Sequence, residues 1–146
     1  MQYQYYEEYQ RQMNQNALLA KEIAKAIDGE YSAINCYEVL AKQAPTQEQR
    51  EKILEIQKDE RRHYEEFSQI YLSLTGRQHK PKQIEECPST YEKGLNAAFK
   101  DEQETVDFYL DISDKATNAY IKRIFKRAAA DEQNHAVWFL YYLTKI

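Results

Sequence analysis

The sequence predicts an all-α protein, a four-helix bundle with a long crossover between its second and third helices. The 146 residues include only three glycines and three prolines, and residues that favour helices are abundant. Apolar residues recur at steps of three and four in four separate stretches, as in helices that bury one face. Two short breaks and one long break, at residues 77–89, separate these stretches.

The first bundle helix is predicted from about Asn16 to Gln43. Its apolar seam contains one carboxylate, Glu30, and the helix should end before Pro45 because proline cannot continue it. Residues 1–15 are rich in tyrosine and glutamine but lack apolar periodicity. We expect them to form an N-terminal tail that either frays or contacts a partner, and residues 16–146 to form the bundle.

The second helix should begin at Thr46, which can cap its N-terminus, and should end at Gly76. Glu60 and His63 replace apolar residues in its seam. The connection at residues 77–89 contains two prolines and exceeds the usual length between antiparallel helices. It is therefore predicted to be a crossover that runs along the bundle.

The third and fourth helices complete the bundle. Either Ser89 or Thr90 can cap the third helix, whose seam extends over residues 95–116. A short turn near Asn118 leads to the fourth helix, with its seam over residues 121–142. Four long amphipathic helices with these connections predict a four-helix bundle.

Five polar positions in the first half of the chain recur 72 residues later. Each copy contains a Glu-x-x-His motif, which places a carboxylate and an imidazole on one helix face. All four glutamates lie 15 residues from the nearest turn, so antiparallel hairpins bring them to one layer of the core. The repeated pairs are Glu30 and Glu102, Tyr37 and Tyr109, Asp59 and Asp131, Glu60 and Glu132, and His63 and His135.

Four carboxylates in one buried layer predict bound cations, because each buried charge costs several kcal/mol unless it is compensated. Two divalent ions would balance the four charges. Mixed carboxylate and imidazole ligands suit iron or manganese, with zinc as a competitor. The bridging ligands would be Glu60 and Glu132. The alternative is a set of surface glutamates paired with lysine or arginine. The predicted ligands are Glu30, Glu60, His63, Glu102, Glu132 and His135.

Four further residues are candidates for supporting this centre. Asp59 and Asp131 could accept a hydrogen bond from the free N–H of a ligand histidine, or could belong to surface salt bridges. The hydroxyls of Tyr37 and Tyr109 could bond a terminal carboxylate across the bundle, or the rings could simply pack; a redox-active tyrosine is a further alternative. The remaining histidine, His79, lies in the crossover and is expected to be exposed.

These motifs resemble the ferritin-like di-iron carboxylate superfamily, and specifically the rubrerythrins, over about residues 16–144. The resemblance implies a non-haem di-iron oxidoreductase that reduces hydrogen peroxide or dioxygen with electrons from an external donor protein. It also implies a homodimer. The alternatives are a ferroxidase or iron-binding protein, and a structural or coat-associated protein stapled by metal. The resemblance is carried by Glu30 with Tyr37, Glu60-x-x-His63, Glu102 with Tyr109, and Glu132-x-x-His135.

The chain departs from the rubrerythrin pattern in two respects. Nothing in it resembles the rubredoxin module of rubrerythrins, which carries Cys-x-x-Cys pairs. Rubrerythrins also place an additional glutamate three residues after the ligand of the third helix, where this chain has Thr105; the equivalent position of the first helix is Ala33. The predicted site is therefore a near-symmetric six-ligand centre, which resembles that of bacterioferritin.

Composition and charge restrict which other functions and cellular locations the sequence allows. A net charge of −4 disfavours nucleic-acid binding. No apolar run approaches the roughly 20 residues of a membrane span, and the first residues do not resemble a signal peptide. Cys36 and Cys87 are too few for a disulfide framework and form no Cys-x-x-Cys pair. A cytoplasmic location is therefore predicted.

Overall fold

A computed structural model describes all 146 residues, Met1–Ile146, and confirms the all-α four-helix bundle. The two sequential helix pairs, α1 with α2 and α3 with α4, are the most extensively packed. No helix combines the length and the hydrophobicity needed to cross a membrane. The helices are α1 (Gln2–Gln43), α2 (Gln47–Thr75), α3 (Tyr91–Lys115) and α4 (Ala119–Leu143).

The helix ends follow the local signals in the sequence. The hydroxyl oxygen of Thr46 accepts a hydrogen bond from the backbone N–H of Gln49 at 3.2 Å, which caps α2. Gly76 ends α2 in the left-handed conformation with φ of 72°, where glycine carries no steric penalty. Of the two candidate caps for α3, Thr90 is the one used, and Asn118 caps α4.

The predicted crossover between α2 and α3 is confirmed, and it lies against α1. The carboxylate oxygen Oδ1 of Asp28 accepts hydrogen bonds from His79 at 2.8 Å and from the backbone N–H of Lys82 at 3.1 Å. Further along, the Ser32 hydroxyl accepts the backbone N–H of Ile84 at 2.9 Å. The expected exposure of His79 is therefore wrong: its ring is half-buried because Asp28 binds it.

A disulfide between Cys36 of α1 and Cys87 of the crossover adds a covalent link at the same face. The two cysteines were predicted to be too few for a framework, and spacing alone did not reveal that the crossover returns along α1 and brings them together. Disulfides are rare in a reducing cytosol. The cytoplasmic location therefore stays a prediction.

The first helix begins at Gln2, so the expectation that it starts near Asn16 is wrong. Residues 2–15 continue α1 with every side chain exposed, including the four tyrosines. Glutamine, glutamate and methionine favour a helix, and no proline or glycine interrupts this stretch. A functional boundary at residue 15 stays a prediction, because the helix passes through it without a break.

The apolar core consists of two clusters with a polar layer between them. One cluster lies toward the α3–α4 turn and is built around Phe67, Ile112 and Phe125; the other lies toward the α1–α2 turn and includes Leu40 and Ile53. The sequence repeat extends into this packing. The ring of Tyr109 lies 5.1 Å from that of Phe67, and the rings of their counterparts, Tyr37 and Phe139, are 5.2 Å apart.

Candidate metal centre

The six predicted ligand side chains meet in the polar layer between the two apolar clusters. Each helix contributes: α1 and α3 supply one glutamate each, and α2 and α4 each supply a glutamate and a histidine one turn apart. Every one of the six residues is at most 2% exposed. The alternative of surface glutamates paired with lysine or arginine is therefore wrong for this set.

The side chains form two overlapping groups of four. In each group, one ligand atom from every residue lies within 4.8 Å of the others. Glu60 and Glu132 belong to both groups, as expected for bridging carboxylates. Glu30 and His63 complete one group, and Glu102 and His135 complete the other.

The His63 ring points its Nδ1 atom into the cluster. This atom lies 3.1 Å from Glu132, 3.5 Å from Glu30 and 3.6 Å from Glu60. On the other side of the ring, Nε2 is 2.9 Å from Oδ2 of Asp131. A carboxylate at Nε2 holds one proton there, so the Nδ1 atom faces the glutamates and can bind a cation once it has lost its own proton.

The His135 ring repeats this arrangement. Its Nδ1 atom lies 3.2 Å from Glu60 and 3.5 Å from Glu102. Its Nε2 atom is 2.7 Å from Oδ2 of Asp59. Each aspartate therefore serves the histidine of the opposite hairpin, rather than the histidine of its own helix.

The two repeated tyrosines also act across the bundle. The hydroxyl of Tyr37 donates to Oε1 of Glu102 at 2.5 Å, and the hydroxyl of Tyr109 donates to Oε1 of Glu30. Burial and the nearby glutamates raise the pKa of both tyrosines well above the ordinary value. Both hydroxyls therefore keep their protons and remain donors, so hydrogen bonding accompanies the ring packing.

The six side-chain atoms that could ligate a metal and that face the centre of the layer lack hydrogen-bond partners. Buried polar atoms without partners are rare and costly, and they call for an explanation such as a bound ion. Two imidazole nitrogens and four carboxylate oxygens fit divalent transition metals. The atoms are Oε2 of Glu30, Oε1 of Glu60, Nδ1 of His63, Oε2 of Glu102, Oε1 of Glu132 and Nδ1 of His135.

Protons compensate part of the charge in the metal-free protein. Burial alone would lower the pKa of His63, but the neighbouring carboxylates outweigh it and raise the pKa to about 10. At His135 burial again lowers the pKa, but Glu102 and Glu60 outweigh it and raise the pKa to about 12. Burial and repulsion from the other carboxylates raise the pKa of Glu60 and Glu132 well above the usual range. Cations that bind here must therefore displace protons.

A cavity of about 260 Å³ between α1 and α3 connects the candidate metal centre with the surface. Glu30, Glu60 and Glu132 line its inner part, and Ala33 and Thr105 belong to its wall. The small residues leave space for a small molecule beside the proposed ligands.

The sequence did not single out Asp101, which lines this cavity together with Lys25 and Glu104. Burial, followed by the charges of Glu85 and Glu102, raises the pKa of Asp101 to about 7. A signal was present, since Asp101-Glu102 repeats the Asp-Glu pair found at the start of both Glu-x-x-His motifs. Near neutral pH this carboxyl can therefore hold or release a proton.

Comparison with known proteins decides among families that share this architecture. The rubrerythrin family model matches residues 21–91 and 93–146. The chain belongs to the rubrerythrin family. This membership, together with the buried cluster of carboxylates and histidines, indicates a metal site of the di-iron type.

One relative of this rubrerythrin-family chain and two solved structures with a similar fold extend the comparison. It is 54% identical over 143 residues to the uncharacterized protein YhjR of Bacillus subtilis, with 98% of both chains covered. A hypothetical protein from Pyrococcus furiosus has a similar structure, with a TM-score of 0.76, 19% identity and coverage of 86% of this chain and 88% of that one. A conserved hypothetical protein from Mycobacterium tuberculosis also has a similar structure, with a TM-score of 0.74, 14% identity and coverage of 88% of this chain and 93% of that one. The two structures support the fold.

Proposed function

We propose that this rubrerythrin-family protein is a non-haem di-iron oxidoreductase that reduces hydrogen peroxide or dioxygen with electrons from an external donor protein. The observation that carries the proposal is the set of six buried donor atoms without hydrogen-bond partners, arranged in two overlapping groups. Iron is the proposed native metal, with manganese or zinc as substitutes that the same donors accept.

In this proposal two ions would share Glu60 and Glu132 as ligands. Glu30 and His63 would help to hold one ion, and Glu102 and His135 would help to hold the other. The overlap of the two groups at the bridging glutamates supports this assignment. It also accounts for charge, since four carboxylates balance two divalent cations.

Bound iron supplies the redox chemistry, because two Fe(II) ions carry the two electrons that reduction of peroxide to water consumes. The protein supplies access and protons. The cavity beside Ala33 and Thr105 admits small oxidants to the glutamates. Asp101, with its pKa of about 7, is placed to deliver a proton into this cavity. The Tyr37 hydroxyl orients Glu102 by donating a hydrogen bond to its carboxylate.

A ferroxidase or iron-binding function is the second candidate, and Thr105 favours it. Rubrerythrins carry an additional glutamate at this position, whereas Thr105 turns its hydroxyl to the backbone carbonyl of Asp101, at 2.7 Å. The position therefore offers no fifth carboxylate. In a ferroxidase the same centre would oxidise Fe(II) as its substrate, with dioxygen or hydrogen peroxide as the electron acceptor, and would release ferric iron rather than receive electrons from a donor.

Anaerobic loading with Fe(II) followed by rapid mixing separates these functions. For the oxidoreductase we expect about two irons per chain, ferric absorption on adding peroxide, and repeated turnover when a reductant is supplied. Many irons retained per assembly, without turnover, would favour iron handling. Glu60→Ala and His63→Ala should abolish rapid oxidation. His79→Ala is the matched control because His79 lies in the crossover, bound to Asp28.

Three further parts of the proposal concern the protein's surroundings. We propose a homodimer, by analogy with related bundles. We also propose an external electron-donor protein, because the 146 residues contain only two cysteines and these are bonded to each other. A cytoplasmic location is retained as a prediction. Size-exclusion chromatography with light scattering tests the dimer, which a monomeric mass would contradict.

A further inference from the structure

The proposed metal ligands and the aspartates behind them repeat at an interval of 72 residues, but the arginines that contact those aspartates do not. Arg62 of α2 reaches both aspartates that hold the histidines: Nη1 lies 3.1 Å from Oδ1 of Asp59, and Nη2 lies 2.5 Å from Oδ2 of Asp131. The residue 72 positions later is Asn134, which carries no charge. One guanidinium therefore spans the two halves of an otherwise repeated site.

Arg62 binds the two aspartates in different ways. At Asp131, the same oxygen, Oδ2, accepts from both Arg62 and His63. At Asp59, Arg62 binds Oδ1, whereas His135 binds Oδ2. The hydrogen bond to His63 is therefore shared with a cation, and the one to His135 is not.

A second arginine increases this difference. The Nε atom of Arg127 lies 3.0 Å from Oδ1 of Asp131, and the residue 72 positions earlier is the oppositely charged Glu55. Asp131 thus faces two guanidinium groups, and Asp59 faces one. Because a carboxylate at the outer nitrogen raises the basicity of a ligand histidine, a carboxylate neutralised by cations raises it less.

We infer that Arg62 is a positioning residue that makes the two metal positions inequivalent, so that the Glu30/His63 position binds divalent cations more weakly than the Glu102/His135 position. This inference rests on the proposed di-metal centre. It assigns an order of filling: the first ion occupies the position at His135, and the second occupies the position at His63.

Arg62 is suited to a direct test because its removal leaves the scaffold in place. Its side chain is 45% exposed, so truncation creates no core cavity. Arg127 continues to hold Asp131 when Arg62 is replaced. The neighbouring Arg61 is exposed on the same helix, which makes Arg61→Met the matched control for Arg62→Met.

Cobalt(II) titrations followed by visible absorption measure each position by itself. Glu102→Gln weakens one position and leaves Glu30/His63 as the main site, whereas Glu30→Gln leaves Glu102/His135. In the Glu102→Gln protein, Arg62→Met should tighten cobalt binding by about tenfold, at the low end of effects from residues behind a ligand. In the Glu30→Gln protein the change should be smaller, because Arg62 binds Oδ1 of Asp59 and leaves Oδ2 to His135. The Arg61→Met control should change neither affinity.

Equal changes in both single-position proteins, or weaker binding at His63, would overturn the inference. Arg62→Gln provides a second variant if the methionine protein folds poorly, and helical circular dichroism checks each protein. The otherwise unmodified chain separates the two proposals. If it binds two cobalt ions but shows no selective response to Arg62, only the inequivalence fails. If it binds none, the di-metal centre fails as well.

Discussion

The hydroxyl of Tyr37 lies 2.5 Å from Oε1 of Glu102, so a side chain of the first hairpin orients a proposed metal ligand of the second. Tyr109 forms the reciprocal bond to Glu30. Together with the crossed histidine–aspartate pairs, these bonds mean that each hairpin holds the ligands of the other. Neither hairpin can complete the centre by itself.

Replacement of either tyrosine should weaken one metal position selectively. Tyr109→Phe removes the donor to Glu30, and Tyr37→Phe removes the donor to Glu102. Hydrogen bonds to charged groups contribute about 1.5–3 kcal/mol, so we expect metal affinity at the corresponding position to fall by about tenfold or more. Cobalt titration measures the loss. Tyr71→Phe, whose ring packs against His79, is the control, and equal affinities in all three variants would contradict the proposed role.

The aspartates behind the histidines should matter nearly as much as the ligands. Asp59→Asn and Asp131→Asn remove the charge that fixes each imidazole with Nδ1 toward the centre. Residues in this role typically contribute 10–100-fold in metal affinity, and we expect losses in that range with little change in helicity. Isothermal titration with manganese(II) measures them. Unchanged affinity would mean that both aspartates form only surface salt bridges and do not support the metal ligands.

Metal binding should stabilise the protein more as the pH rises from 6 to 8. In the metal-free fold the pKa values of His63 and His135 are raised to about 10 and about 12, and those of Glu60 and Glu132 are also raised. The folded chain then binds more protons than the unfolded chain above pH 6.5, so its stability falls with rising pH.

Metal-loaded protein has exchanged these protons for cations and loses this dependence. The difference in melting temperature between loaded and metal-free protein should therefore widen toward pH 8. Loading in weak buffer should also release protons, because the cations displace them from these groups. A melting-temperature difference that narrows with pH, or loading without proton release, would contradict this protonation of the centre.

Removal of the disulfide should destabilise the fold without removing the metal site. The Cys36–Cys87 bond joins positions 51 residues apart, and bonds of this kind typically contribute 2–4 kcal/mol to stability. Cys36→Ser with Cys87→Ser should lower the free energy of unfolding by about that amount in urea titrations. Metal stoichiometry should stay the same. An unchanged unfolding midpoint would mean that noncovalent contacts, including the hydrogen bonds that Asp28 and Ser32 accept from the crossover, are enough to secure it.

Much of the fold was predictable because local signals and tertiary packing agree. Pro45 and Gly76 mark helix ends, and Thr90 caps α3 where the seam begins. The start of α1 was not predictable from the seam, because residues 2–15 form a helix without burying a face. The disulfide was missed since its partners approach only after the crossover has folded back along α1.

The candidate site was predictable for a different reason. The repeat at 72 residues identified all six proposed ligands and their four supporting residues, because geometry at equal distances from two turns follows from helix rise alone. Repetition could not reveal what breaks the symmetry. Arg62, Arg127 and Asp101 have no matching counterparts 72 residues away. The bond from Arg62 to Asp131 forms only when α2 packs against α4, and the cavity beside Asp101 forms only when α1 packs against α3.

X-ray diffraction from iron-loaded crystals at the iron absorption edge tests the central proposal most directly. The proposal predicts two anomalous peaks about 3.5–4 Å apart, one beside Nδ1 of His63 and the other beside Nδ1 of His135, with Glu60 and Glu132 between them. A single peak, or iron bound only outside this layer, would contradict the di-iron centre and the function built on it.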